Sequence, residues 1–262
     1  YIMKYLGGKN KIGKYVAGVL QHITPDEVNG YLEPFCGSLG VLVHMTGDYK
    51  KVYGSDTHSD LIALWKAVQK GTFTPPKKVT EKYYNIVKGK KSPSPLKGFV
   101  GFGLSFGGRY FGGYAQKYTN GKKEDYLSAA TNSIRKIKPL IKDVKFRCIS
   151  YSSLKPKKKL IYCDPPYKSS KFPVKYRKNK KYYDEFDTDE FWNIMRRWSK
   201  DNFVFVSETQ APTDFVCIWK KKRYRSISQS KRTRYKSPST KKFNIEKIFV
   251  HNSRQDIIDR FK

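Results

Sequence analysis

Residues 160–167 read Leu160-Ile161-Tyr162-Cys163-Asp164-Pro165-Pro166-Tyr167. An apolar run stops at a carboxylate, two prolines and an aromatic ring. The apolar part reads as a buried strand. The prolines, fixed in φ and lacking an N–H, forbid its continuation. Asp164 to Tyr167 therefore stand at the carboxyl end of a strand, where open α/β sheets bind ligands. The groups suit a planar amine: Asp164 and the Pro165 carbonyl offer acceptors, and Tyr167 offers a stacking face. The competing reading is a proline-rich loop after a strand, and the rest of the chain decides between them.

The chain's 262 residues suffice for a sizeable core, as one large α/β domain or a core with an inserted lobe. Lys and Arg number 54 against 22 Asp and Glu, a formal net charge of +32. Self-repulsion of that size is tolerable when a polyanion binds, so nucleic acid is the leading partner class. A membrane surface is the weaker alternative, since no apolar run approaches a membrane span. The opening residues Tyr1-Ile2-Met3-Lys4-Tyr5 carry no secretory leader, so an intracellular protein is expected, in the cytoplasm or a host nucleus. An aromatic content of 15% argues against disorder. Cys36, Cys148, Cys163 and Cys217 form no C-x-x-C pair and read as buried free thiols. His22, His44, His58 and His251 are scattered, and no metal is expected.

Upstream, Lys4-Tyr5-Leu6-Gly7-Gly8-Lys9 is a glycine turn whose lysine is placed to meet a carboxylate. A helix pattern follows from Lys11 to Gln21. Tyr31 to Gly40 predicts a short strand, a sharp turn and a helix from Ser38 to His44 or Met45. This is not the dinucleotide G-x-G-x-x-G fingerprint. Lys51 to Asp56 predicts the second strand, with an acid where βαβ units bind ribose hydroxyls. Asp60 is the better-placed cap for a helix running to Gln69, which leaves Asp56 for a ligand.

Residues 73–142 read as an inserted lobe, flanked by a core of residues 1–72 and 143–262. Thr80 to Lys88 predicts a short helix, and Glu124 to Lys138 a longer one. Between them, glycine and aromatics alternate from Gly98 to Tyr114. That is either an aromatic loop packed on the core or an adaptable surface that meets DNA, and the charge favours the surface. After a strand at Val144 to Ile149 and the opening stretch, Lys168 to Tyr183 is a basic loop suited to clamping phosphates. A helix capped by Thr188, a parallel strand at Phe203 to Ser207 and a strand at Phe215 to Trp219 follow. Fragments at Tyr224–Ser228 and Ile245–Val250 pair as an antiparallel hairpin with a basic tip.

These pieces resemble, over nearly the whole chain, the S-adenosylmethionine-dependent DNA adenine methyltransferases of the Dam-like, D12 class. The likeness is greatest to versions carried by phages and large DNA viruses. Lys4 to Lys9 resembles the family's amino-terminal motif. Glu33-Pro34-Phe35-Cys36-Gly37 resembles its cofactor motif E-P-F-x-G, and Asp56 with Asp60-Leu61-Ile62 its second motif. Cys163-Asp164-Pro165-Pro166-Tyr167 matches outright. The order of cofactor motif, insert and tetrad is that of the alpha group. Two departures stand out. Leu39 occupies the last glycine of the usual F-x-G-x-G, and Ile149 and Ser150 replace an acid.

The resemblance implies a Rossmann-like α/β methyltransferase sheet with an inserted target-recognition lobe and a C-terminal antiparallel hairpin. It implies S-adenosyl-L-methionine held by Tyr5, Gly8, Lys9, Glu33, Pro34, Phe35, Gly37, Asp56, Tyr151 and Asp164. Asp164, Pro165, Pro166 and Tyr167 would act on the N6 amine of an adenine flipped out of double-stranded DNA. DNA contacts are expected from Phe106, Arg109, Tyr110, Tyr114, Lys117, Lys175, Arg177, Lys180, Arg232 and Arg234, in a monomer or homodimer. RNA adenine methylation, cytosine N4 methylation and a catalytically silent DNA-binding homologue stay open as alternatives.

Overall fold

The computed structural model describes residues 3–116, 118–119, 122–166, 186–224 and 243–262. The chain folds as two compact units. One is Tyr1–Tyr162 with Asp201–Phe203, the other Cys163–Lys200 with Val204–Lys262.

In the first unit the elements are α1 (Gly13–Leu20), β1 (Tyr31–Glu33), β2 (Val52–Asp56) and α2 (Ser59–Lys70). Then come α3 (Glu81–Lys88), α4 (Pro95–Gly98), the two-residue strands β3 (Tyr118–Thr119) and β4 (Lys122–Lys123), and α5 (Tyr126–Ile137). β5 (Lys145–Cys148) and β6 (Leu160–Cys163) follow. β1, β2, β5 and β6 lie in the order β5-β2-β1-β6, and every adjacent pair is parallel. Their carboxyl ends therefore share one edge. Parallel strands are covered on both faces, which is why β6 reads as an unbroken apolar run and β1 stays apolar up to Glu33. Every residue of β1 and β6 is buried. The chain at Asp201–Phe203 closes over the start of β6: Lys158 N donates to the Asp201 carbonyl (3.1 Å), and Phe203 N to the Lys159 carbonyl (2.9 Å).

Helix α1 buries Val16, Ala17, Val19 and Leu20 along one face. Of Ile12, Tyr15, Val16 and Val19, which the spacing puts on one face, Tyr15 is instead 54% exposed. The helix expected from Ser38 does not form. Gly37 and Leu39 adopt left-handed φ of 44° and 66°, which a helix cannot accommodate, and only a 3-10 turn at Leu42–His44 survives. Helix α3 is capped by Thr80, whose hydroxyl accepts from Tyr83 N at 3.2 Å. α4 runs into a π-helical turn, Phe99–Gly103, with every residue buried. Phe99, Val100 and Phe102 thus belong to the core, so most of the glycine–aromatic run packs inward.

The second unit holds α6 (Thr188–Ser199), β7 (Phe203–Glu208, from Val204 on), β8 (Phe215–Tyr224), β9 (Phe243–His251) and α7 (Gln255–Ile258). β9 pairs antiparallel with both β7 and β8, giving the order β7-β9-β8. The strand expected to stop at Trp219 runs on to Tyr224 as one ten-residue β8, kinked by a register shift between Cys217 and Trp219. Residues 225–228 of the expected fragment lie outside the described residues. Asp187, not Thr188, caps α6, its carboxylate accepting from Asp189 N (3.0 Å) and Glu190 N (2.8 Å). Phe191, Ile194, Met195 and Trp198 face inward, joined by Trp192, whose ring lies 4.6 Å from that of Phe215. Each such side chain contributes about 1.5–3 kcal/mol by leaving water.

Cys36 and Cys163 are buried free thiols, and burial pushes Cys36 well above its usual pKa. Cys148 and Cys217, expected to be buried, are exposed instead: β5 and β8 each stand last in their strand order, with a neighbour on one side only. Among the described residues, no helix is long and apolar enough to cross a membrane.

Helix α6 is tied to the start of β8 by a fork of charged hydrogen bonds. Arg196 Nε and Nη2 donate to Asp214 at 2.5 and 2.9 Å, and His251 Nε2 stands 3.3 Å from the same carboxylate. The Arg196 bonds lower the Asp214 pKa below its ordinary value. Its stabilisation is therefore present above the ordinary carboxylate pKa and is lost as pH falls through the lowered one. Melting curves recorded from neutral to acidic pH should show Asp214→Asn less stable at neutrality, with the gap closing in acid. A constant gap would contradict the linkage.

Candidate cofactor and nucleic-acid site

At the start of the first unit, Gly8 N donates to the Tyr5 carbonyl (3.1 Å), closing the glycine turn. The Lys9 carbonyl then accepts from Ile12 N and Gly13 N to open α1. Lys9 itself is only 4% exposed. A second turn, residues 37–40, interlocks with the first. A Cβ on Gly8 would lie 3.0 Å from Ser38 Oγ, and one on Gly40 would lie 3.1 Å from Lys9 N. A Cβ on Gly13 would overlap the Gly40 carbonyl at 1.8 Å, so only glycine fits there. Gly13 escapes sequence reasoning because a glycine at a helix start carries no signal of its own.

The second turn leaves β1 through Glu33, Pro34 and Phe35. Glu33 is buried and accepts from the Tyr31 hydroxyl at 2.5 Å. Burial, and then the Glu33 carboxylate, push the Tyr31 phenol well above its usual pKa. Phe35 is half-buried, its ring 5.0 Å from that of Tyr151. Gly37 N donates to Asp56 Oδ2 (3.0 Å), and its carbonyl accepts from Trp65 Nε1 (2.9 Å). The Tyr5 ring lies against Gly37, 3.2 Å from where a Cβ would stand. Tyr5, Gly8, Lys9, Phe35, Gly37, Asp56 and Tyr151 thus gather around two touching turns at the carboxyl edge of the parallel strands. Leu39 is fully buried in the left-handed conformation that glycine favours.

Asp56 ends β2 and is the hub of this edge. Its other oxygen accepts from His58 N at 2.9 Å. Burial raises its pKa above the ordinary value, opposed by the backbone donors of His58 and Gly37. The cap expected from Asp60 is supplied instead by His58, whose Nδ1 accepts from Leu61 N at 3.4 Å. Burial lowers the His58 pKa against the pull of Asp56, so the ring stays neutral and able to accept.

Asp60, 2% exposed, turns to residues 92–110. It accepts from Ser92 Oγ (2.9 Å), Ser94 N (2.7 Å) and the Tyr110 hydroxyl, with Lys97 Nζ 4.0 Å away. The ring of His58 meets those of Tyr110 and Phe102 at 4.3 and 4.9 Å, and Phe102 meets Tyr5 at 5.0 Å. The loop at Phe106–Gly108 also backs onto the first turn. Leu6 N donates to the Gly108 carbonyl (3.1 Å), and a Cβ on Gly108 would strike Tyr5 N at 2.5 Å.

Of the residues expected to meet nucleic acid, Phe106 is the most exposed large apolar side chain, at 57%. Phe106 N donates to the Gly113 carbonyl (2.9 Å), which holds the loop closed beneath it. Arg109 and Tyr110 are half-buried. Tyr110 and Tyr114 direct their hydroxyls inward, to Asp60 and to the Val79 carbonyl (2.6 Å). Asp164, half-buried, and Pro165, buried, follow β6 directly, and Pro166 is exposed. Tyr167, Lys117, Lys175, Arg177, Lys180, Arg232 and Arg234 lie outside the described residues.

Two interlocked glycine turns and an acid closing β2 stand at the carboxyl edge of the parallel strands, the edge at which α/β enzymes bind their ligands. The sequence matches the D12 class N6 adenine-specific DNA methyltransferase family over residues 5–100 and 108–244, and the chain belongs to that family. The parallel strands of the first unit and the antiparallel C-terminal hairpin of the second are the mixed α/β, Rossmann-like fold of that class. The activity is methylation of adenine N6 in DNA. No curated protein matches the chain.

Substitutions at two positions test this edge. Leu39→Ala and Leu39→Gly both empty a fully buried site and should destabilise by about 2–5 kcal/mol. Glycine relieves the left-handed strain, so Leu39→Gly should be the more stable of the two by about 1 kcal/mol, the reverse of the usual order. Denaturant midpoints giving alanine the advantage would refute the strain. Asp60→Ala strands the Ser92, Ser94 and Tyr110 donors, and should cost about 3–5 kcal/mol. Proteolysis should then cut first within residues 89–113, and unchanged protection there would remove the clamp.

Proposed function

We propose that the chain is a site-specific enzyme that takes its methyl group from S-adenosyl-L-methionine and acts on an adenine flipped out of duplex DNA. The observation that carries this is the pair of interlocked turns tied by Gly37 N–H to Asp56. The donor set fits that cofactor. Lys9 would meet its carboxylate, Asp56 would accept from its ribose hydroxyls, and Phe35 with Tyr151 would flank its base. Tyr5, Gly8, Glu33, Pro34 and Gly37 would shape the cradle. When bound, the cofactor supplies an electrophilic sulfonium methyl.

The rest is done by side chains and backbone of the chain. The adenine amine is conjugated with its ring and is a poor nucleophile. Asp164 and the Pro165 carbonyl would each accept one of its hydrogens, drawing the nitrogen toward tetrahedral geometry and aiming its lone pair. Pro165 and Pro166 fix the backbone that presents this carbonyl, and Tyr167 would stack on the base. Positioning and fixed charge lower the barrier; no prior deprotonation is needed, and the nitrogen sheds its extra proton during or after the transfer. Asp164 would also touch the methionyl amino group.

Residues 73–142 would serve as the target-recognition lobe of a core spanning 1–72 and 143–262. Within it Phe106 would contact the bases, supported by its exposure at the tip of a closed loop. Arg109, Tyr110, Tyr114, Lys117, Lys175, Arg177, Lys180, Arg232 and Arg234 would line the DNA path, supported by the net charge of +32. The glycine–aromatic insert supports kinship with the phage and large-DNA-virus branch of the family.

Asp164→Ala should lower methyl transfer into duplex DNA by at least about a thousandfold, the scale of losing preorganised stabilisation of the reacting group. Duplex binding by gel shift should stay within about twofold. Near-normal turnover of tritiated methyl groups in this variant would overturn the assignment.

A further inference from the structure

The first unit carries a cation cluster that none of the roles above uses. Lys51 immediately precedes β2, Lys145 opens β5, and Lys159 immediately precedes β6. In the parallel register Tyr31 lies opposite Val52 and Leu160, and Tyr53 opposite Lys145. The three lysines therefore stand at the amino ends of the strands. Phe35, Asp56 and Tyr151 belong to the carboxyl ends. The five residues of β2 put about 15 Å between the two ends, at about 3.3 Å per residue.

Tyr53, half-buried, organises the cluster. Lys159 Nζ stands 4.8 Å from its ring centroid and Lys145 Nζ 5.9 Å, so one aromatic ring faces two ammonium groups. Lys159 also donates to the Asn29 carbonyl at 2.7 Å. Arg147, opposite Ser55, shares the strand face of Lys145. Among the described residues, Lys51, Lys145, Arg147 and Lys159 pair with no carboxylate. Burial, followed by repulsion from Lys51 and Lys145, lowers the Lys159 pKa below its ordinary value. The segment leading into β6 adds Lys155, Lys157 and Lys158, all exposed.

A solvated lysine face spreads its charges apart or intersperses acids. Here like charges are fixed side by side by a tyrosine ring and a backbone carbonyl, an arrangement that a polyanion relieves. We propose that this amino-end cluster is a second docking surface for duplex DNA, on which phosphates bind without base readout while the carboxyl-end site is free to take another segment. One molecule would then hold two stretches of DNA. DNA is chosen because it is the family's substrate. The inference does not depend on the assignment of Asp164.

Amine acetylation of the full chain, read by mass spectrometry with and without a duplex, tests it directly. Lys51, Lys145 and Lys159 should be protected severalfold by DNA. A bead-bound duplex should capture a second, labelled duplex through the protein. The Lys51→Glu, Lys145→Glu, Arg147→Glu variant should lose that capture at least about tenfold, with methylation of a short saturating duplex within about twofold. Where that variant melts early, Lys145→Gln with Arg147→Gln is read in its place. Absence of protection, or capture unchanged in the variants, overturns the proposal. Protection by phosphatidylserine vesicles but not by DNA also overturns it. Protection and capture in a protein that fails to methylate DNA support the second surface and count against the chemistry above.

Discussion

One half-buried carboxylate holds the working edge of this protein together. Asp56 ends β2 and accepts from Gly37 N, just beyond β1, so it staples the carboxyl ends of neighbouring parallel strands. An acid drawn partly out of water is costly unless hydrogen-bonded, and here two backbone donors offset the cost. The staple fixes Gly37 in its left-handed turn. That turn in turn presents a carbonyl to Trp65 and a flat surface to Tyr5. Without Asp56 the two glycine turns would lose the anchor that sets their register.

From that anchor, structure passes outward through rings rather than charges. His58 takes its position from Asp56 and meets Tyr110 and Phe102, and Phe102 returns to Tyr5. Asp60, two residues on, holds the same stretch by hydrogen bonds. The two glycine turns and residues 92–110 are therefore one packed assembly.

Much of this was legible in the sequence. Apolar runs ending in Glu33-Pro34, Asp56 and Asp164-Pro165 mark strands whose ends carry polar groups, since proline stops a strand and burial demands an apolar run. What was not legible depends on tertiary contact. The expected helix after Ser38 has ordinary helical spacing, and only the turn closed by Asp56 and Trp65 forces Leu39 to a positive φ. Asp60 reads as a cap from its position alone, whereas its partners lie more than thirty residues away, at Ser92, Ser94 and Tyr110. The glycine–aromatic run reads as surface because its glycines break periodicity, yet the π-helical turn packs its rings inward. β8 extends past Trp219 because pairing with β9 carries basic residues that no hydropathy pattern marks.

The contact of Gly108 with the backbone at Lys4 and Tyr5 has a bearing on how new specificities arise. A loop that touches the scaffold with bare main chain cannot be exchanged as a self-contained cassette. A transplanted loop would have to bring a glycine at this position, a tyrosine reaching Asp60, and a ring against His58, or be accompanied by changes in the residues it touches. Diversification is then easiest at the solvent-facing tip around Phe106, where side chains change without disturbing the seam. Divergent members built on this plan should accordingly vary at the tip and keep the seam.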